Sequence, residues 1–185
     1  MRVILASKSP RRRELLGELY KKFEIITSDA DETLPEGMHP REGVELLAVR
    51  KGAGVAKENP DALVISSDTL VELDGVPLGK PEDVSDAKNM LRTLSGNTHR
   101  VHTGVAVHYK GKVASGVDTT AVSFRDLTDG EIDEYIATGE PMDKAGAYGI
   151  QGKGGAFVSG YDGRFDTVVG LSVALTERLC EEIVK

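Results

Sequence analysis

Val3-Ile4-Leu5-Ala6-Ser7-Lys8-Ser9-Pro10-Arg11-Arg12-Arg13 joins an apolar run to a helix start, and this junction decides the fold class. Residues 3–6 have the continuous apolar character of a buried strand. Ser9-Pro10 predicts a helix start, with serine as N-cap and proline at the first helical position. Leu15, Leu16, Leu19 and Phe23 follow at roughly helical spacing, so that helix turns one side to a core.

The alternation continues along the chain. Residues 23–27 read as a second strand, and an acidic loop with Asp29, Asp31 and Glu32 follows. A second helix is expected from near Pro40, with Val44, Leu47, Ala48 and Val55 on its apolar side. Residues 62–66 read as a buried strand that delivers Asp68 at its C-terminal end. Asp74-Gly75 between apolar residues is a hairpin signal. Ser85 is expected to cap a third helix carrying Met90, Leu91 and Leu94, with Gly96 as its stop.

Residues 99–109 and 119–124 read as strands, with Lys110-Gly111 as a turn between the first of them and its successor. Thr128 and Glu131 predict a capping box for a helix carrying Ile132, Tyr135 and Ile136, closed by Gly139. Residues 145–155 are glycine-rich, 156–159 read as a strand, and Leu175, Leu179 and Ile183 mark a last helix. No repeat or linker interrupts this order, so residues 1–185 read as a single α/β domain around a mixed sheet.

Composition narrows the chemistry. A net charge of −7 argues against non-specific nucleic-acid binding, which needs a broad basic surface, but leaves room for a small anion in a local basic pocket. The lone Cys180 cannot form an internal disulfide, and His39, His99, His102 and His108 fit no zinc-type spacing. Any metal is therefore expected to be oxygen-ligated, magnesium or manganese held partly by substrate phosphates. No apolar run approaches membrane-spanning length, and a strand-like segment follows Met1 where a signal peptide would lie. A cytoplasmic protein with neither nucleic acid nor membrane as partner is expected.

At Ser7-Lys8-Ser9-Pro10-Arg11-Arg12-Arg13 the strand-to-helix loop offers backbone N–H groups at the positive end of a helix dipole, with hydroxyls and guanidiniums beside them. Arginine's planar fork suits phosphate oxygens. The plain alternative is a capped helix with solvated arginines, yet cations there cost about 0.3–1 kcal/mol each, and three in a row call for an anion. Asp68 in Ser66-Ser67-Asp68-Thr69 can orient and deprotonate a water or hold a metal, or simply begin a turn. Lys80 in Gly79-Lys80-Pro81 and Lys51 on the second helix are candidate phosphate contacts or solvated lysines. In Asp143-Lys144-Ala145-Gly146-Ala147-Tyr148-Gly149-Ile150-Gln151-Gly152, small residues permit close backbone approach and Gln151 can read a base edge, unless this is merely a flexible loop. Neither a Walker A motif nor a dinucleotide fingerprint is present.

In order and spacing these segments resemble the Maf family, also called septum-formation-inhibitor-like proteins. The resemblance is carried by Leu5 through Arg12, Asp31-Glu32, Leu47-Ala48 with Lys51, Ser67-Asp68-Thr69, Gly79-Lys80-Pro81, and Leu94-Ser95-Gly96 with His99. Thr103-Gly104, Lys144 through Gln151 and Val169-Gly170-Leu171 complete it. It spans essentially the whole chain.

The resemblance implies an elongated, two-lobed α/β fold of the inosine-triphosphatase type with a central cleft. It implies metal-dependent hydrolysis of a nucleoside triphosphate between the α and β phosphates. Carried over, Asp68 is the proton acceptor, and Arg11, Thr69 and Gln151 bear on substrate choice. Ser7, Arg11, Arg12, Lys51 and Lys80 hold the triphosphate, and Glu32 with Asp68 holds magnesium or manganese. Thr69 and the run ending in Gln151 look like the branch acting on dTTP and UTP, not the one acting on 7-methyl-GTP. Arg164 and Thr167 depart from the family's usual residues, which bears on base preference. Family members are often dimers, so a homodimer is implied. Two other readings stay open: a pyrophosphatase for 7-methyl-GTP or another modified nucleotide, and a non-catalytic nucleotide sensor that regulates cell division.

Overall fold

Ser9 caps the first helix as its position predicts. In the computed structural model, which describes Met1–Lys185, its Oγ accepts from the Arg12 N–H at 3.4 Å, and Pro10 begins the helix. Strand β1 (Val3–Leu5) leads into α1 (Pro10–Leu19) and then β2 (Glu24–Ile25). The second strand is shorter than expected. It pairs in parallel with β1 through Ile4↔Glu24 and Leu5↔Ile25, and after the Ile26 N–H donates to the Leu5 carbonyl at 3.2 Å the end of β1 leaves nothing further to pair with.

Helix α2 (Pro40–Glu58) buries Val44, Leu47, Ala48 and Val55 as expected. Strand β3 (Leu63–Leu73) corrects one expectation: it does not stop before Asp68 but runs through it. Its first part pairs in parallel with β1 up to Leu5↔Ile65, and its last part pairs antiparallel with β4 (Val76–Leu78). The strand that ends near the site is β1, three residues short of Asp68 on the paired strand. Asp74 (φ 51°) and Gly75 (φ 80°) form the predicted tight turn.

Helix α3 (Val84–Leu94) starts earlier than Ser85 predicts. Asp83 is the cap, its Oδ1 accepting from Asp86 N at 2.7 Å, which leaves Ser85 inside the first turn. Strands β5 (Thr98–Tyr109) and β6 (Lys112–Phe124) follow. Lys110 (φ 48°) and Gly111 (φ 77°) form the expected turn, and the strand after it and residues 119–124 are one continuous strand, because polar Ser115-Gly116 and Asp118 interrupt the apolar pattern without ending the strand.

The Thr128–Glu131 capping box opens α4 (Asp129–Ala137), and Gly139 closes it at φ 75°. The glycine-rich segment winds into short 3-10 turns, Glu140–Asp143, Ala145–Ala147 and Lys153–Phe157. Phe157 is drawn into the last of these by packing on Tyr135 and Phe124, so β7 is Val158–Asp162 rather than 156–159. A short helix α5 (Phe165–Val169) was not expected, and α6 (Val173–Val184) was.

The seven strands form one mixed sheet in the order β2-β1-β3-β5-β6-β7, with β4 paired to β3. The chain divides into two compact units. The first comprises residues 1–69, 103–118 and 170–185; the second comprises residues 70–102 and 119–169. In the first, Leu5, Leu16, Leu63, Ile65, Val105, Leu171 and Leu179 build a core, with Ile4, Val55 and Val64 in a smaller cluster. In the second, Leu91, Leu94, Val122, Phe124, Ile132, Tyr135, Tyr148 and Phe157 pack together. No helix is long and apolar enough to cross a membrane.

One approach in the first unit is made by main chain alone. A Cβ on Gly104 of β5 would lie 2.4 Å from the Val44 carbonyl oxygen of α2. Helix and strand therefore touch backbone to backbone there, which only glycine permits.

Candidate active site

Strand alternation sorts the residues Ser66 to Thr69 onto two faces of β3. Ser66 and Asp68 turn toward α2. The buried Ser66 Oγ donates to the Ala48 carbonyl at 2.7 Å, and Lys51 Nζ donates to Asp68 Oδ1 at 3.1 Å. Lys51 lies one helical turn beyond Leu47-Ala48, so the buried contact of Ser66 sets where the lysine emerges. Its ammonium also pairs with Glu32 at 3.0 Å. The Asp68 side chain is 13% exposed and that of Glu32 66%, so the first carboxylate is held and the second lies open to solvent.

Ser67 and Thr69 turn to the other face. Ser67 Oγ donates to the Gly170 carbonyl at 3.0 Å, and that carbonyl oxygen also accepts from Arg12 Nε at 2.8 Å. The Arg12 guanidinium reaches Thr69 Oγ1 at 3.3 Å and Ser7 Oγ at 3.5 Å, while Thr69 Oγ1 lies 3.0 Å from Thr103 Oγ1. Burial pushes the Arg12 pKa down and the Arg11 charge adds to this, against the opposing pull of Asp68 and Glu32. The first unit thus brings together Ser7, Arg12, Glu32, Lys51, Asp68 and Thr69. Arg11 is half-buried, and its side chain makes no hydrogen bond or ion pair within the chain.

Lys80 and Gln151 belong to the second unit, and both are exposed. Their segments are tied together, since Gly146 N donates to the Gly79 carbonyl at 3.1 Å. Gly146 has φ 70° and packs on Val71, where a Cβ would lie 3.0 Å from the nearest valine methyl. Tyr148 is buried, and its hydroxyl lies 2.7 Å from His99 Nε2. Arg164 is held by its neighbour Asp166 in a two-point pair at 3.0 and 2.8 Å, and Thr167 is fully buried in α5.

Ser67, Thr103 and Gly170 were legible as parts of motifs but not as contacts. Gly170 contributes a carbonyl, which carries no side-chain signature. Tyr135 and Glu140, which bind the backbone of the Gln151 segment, were read only as a core residue and not at all, respectively.

The carboxylates suit a hard divalent cation. Asp68 and Glu32 converge on one ammonium within 3.1 Å, and one or two carboxylates completed by phosphate oxygens and water are the usual magnesium set. No cluster of three or more His, Cys, Asp or Glu side chains is present, so the remaining ligands would come from substrate and solvent.

The fold is that of the inosine-triphosphatase type. The Staphylococcus aureus Ham1 protein matches with a TM-score of 0.51 at 16% identity, over 68% of this chain and 73% of that one. Family membership follows from sequence: the model described as Maf-like protein matches residues 2–183, and the chain belongs to this family. Among curated relatives, a dTTP/UTP pyrophosphatase of Bacillus velezensis is 50% identical over 181 residues, covering 98% of this chain and 96% of that protein. Another, from Pelotomaculum thermopropionicum, is 51% identical over 174 residues, covering 93% and 91%.

Proposed function

We propose that the chain, acting as one domain over residues 1–185, hydrolyses dTTP and UTP to the monophosphate and pyrophosphate. The observation that carries this is near-full-length identity of about half to relatives named dTTP/UTP pyrophosphatase, with Lys51 on Asp68 and Arg12 on Thr69, consecutive residues of β3. A water attacks the α-phosphorus, its proton passes to the Asp68 carboxylate, and the bond to the bridging oxygen breaks so that pyrophosphate leaves. Ser7, Arg11, Arg12, Lys51 and Lys80 hold the phosphates and balance charge gathering on their oxygens, a contribution usually larger than that of the base. A magnesium or manganese ion on Glu32 and Asp68 would supply further polarisation of those oxygens. Arg11, Thr69 and Gln151 bear on base choice, with the glutamine amide reading a pyrimidine edge. The homodimer and cytoplasmic placement are carried from the family resemblance and the sequence.

The test is product release from a panel of dTTP, UTP, CTP, GTP and 7-methyl-GTP with magnesium or manganese. Pyrophosphate with the nucleoside monophosphate is expected, fastest from dTTP and UTP. Preference for 7-methyl-GTP would replace the substrate, orthophosphate would move the scissile bond, and binding without turnover would leave a sensor.

A further inference from the structure

In the second unit, one tyrosine–glutamate pair holds both ends of the segment that carries Gln151. Tyr135 is buried on α4, and its hydroxyl accepts from Gly149 N at 3.1 Å and donates to Glu140 Oε1 at 2.7 Å. The same Oε1 accepts from Gly154 N at 3.2 Å, and Oε2 accepts from Lys153 N at 3.1 Å. The main-chain amides on either side of Ile150-Gln151-Gly152 are thus gathered onto a single carboxylate, directly or through one phenol.

The surrounding residues leave this carboxylate little choice of place. A Cβ on Gly152 would lie 2.4 Å from Glu140 Oε1, so the carboxylate rests against bare backbone. Lys144 Nζ donates to the Glu140 carbonyl at 3.0 Å, fixing the turn from which the side chain springs. Burial pushes the Glu140 carboxyl upward, but the hydrogen bonds from Tyr135, Gly154 and Lys153 outweigh it and leave the group below its ordinary value. It is therefore ionised at neutral pH, when it accepts best.

An exposed glutamine on a glycine-rich loop would ordinarily sample many positions, and selection by a paired amide contact needs one. We infer that Glu140, through Tyr135 and the Gly149, Lys153 and Gly154 amides, is a positioning residue that sets base selectivity by fixing where Gln151 is presented. This rests on Gln151 reading the base, as proposed above.

Tyr135→Phe and Glu140→Gln keep volume while removing, respectively, the phenol relay and the all-acceptor carboxylate. The measurement is the ratio of kcat/KM for UTP over CTP in each variant, in Gln151→Ala, and in the Glu140→Gln/Gln151→Ala double variant, with amide hydrogen exchange at Gly149, Lys153 and Gly154. We expect about a tenfold fall in the ratio, the scale of one hydrogen bond's worth of discrimination, faster exchange at those amides, and no further fall in the double variant. A simple loss of folded enzyme would lower both substrates together and leave the ratio unmoved. If Gln151→Ala lowers the ratio while Tyr135→Phe and Glu140→Gln leave it unchanged, the positioning role is overturned and the base-reading role stands. If Gln151→Ala itself leaves the ratio unchanged, the base-reading role fails and takes the positioning role with it.

Discussion

Lys51 and Asp68 meet at 3.1 Å, helix side chain to strand side chain, where Ser66 and Ala48 have already locked the two elements together. The ammonium orients the carboxylate without removing its second oxygen from use. Asp68→Asn keeps the shape and loses the proton acceptor. Turnover should drop at least ~10²-fold, with nucleotide binding by calorimetry retained. Near-native pyrophosphate release from this variant would remove Asp68 from its role.

Arg12→Lys tests fork geometry against charge. A lysine cannot reach the Gly170 carbonyl, Thr69 and Ser7 with one planar group, and at such sites the exchange is not conservative. We expect kcat/KM to fall by about 10–10²-fold, equivalent to one or two charge-assisted hydrogen bonds. Unchanged kinetics would mean that a point charge suffices.

Gly104→Ala places a methyl group against main chain that cannot move aside as a side chain would. Overpacking of this kind costs about 1–3 kcal/mol, read as a lower urea midpoint. Because α2 also carries Lys51, activity should fall along with stability. A variant as stable as the parent would show that α2 yields freely.

His99 makes stability depend on pH. Burial pushes its pKa down to about 4, against about 6.5 unfolded, so the unfolded chain binds the proton first as pH falls. The folded state keeps this contribution above pH 6.5 and loses it progressively toward pH 4, by on the order of 3 kcal/mol. His99→Phe should flatten that portion of the unfolding free energy measured between pH 7 and 4. An unchanged slope would mean that His99 titrates normally.

Legibility from sequence followed the physical source of each signal. Ser9-Pro10 and Thr128–Glu131 were readable because caps are local chemistry, and Leu175, Leu179 and Ile183 because a one-sided helix repeats its spacing. The path of β3 was not, since Ser66 through Thr69 interrupts the apolar run while the backbone stays extended. Asp68, Lys51 and Arg12 were legible as residue types in a recognisable order. Their division between two faces of one strand was visible only once the strand was known to continue. The Gly170 carbonyl and the Tyr135–Glu140 pair depend on long-range approach and left no mark on local pattern.

The two neighbouring arginines of α1 differ in how much freedom they have already surrendered. Arg12 is tethered by Gly170, Thr69 and Ser7, so its ordering is settled when the chain folds. Arg11 has no such tether, and any anion it grips must bear the entropy of stilling it, about 0.5–1.5 kcal/mol for a side chain of this kind. The first is a rigid template and the second a recruited arm. A nucleotide should therefore quiet the Arg11 side chain in NMR relaxation while leaving the motion of Arg12 almost as it was.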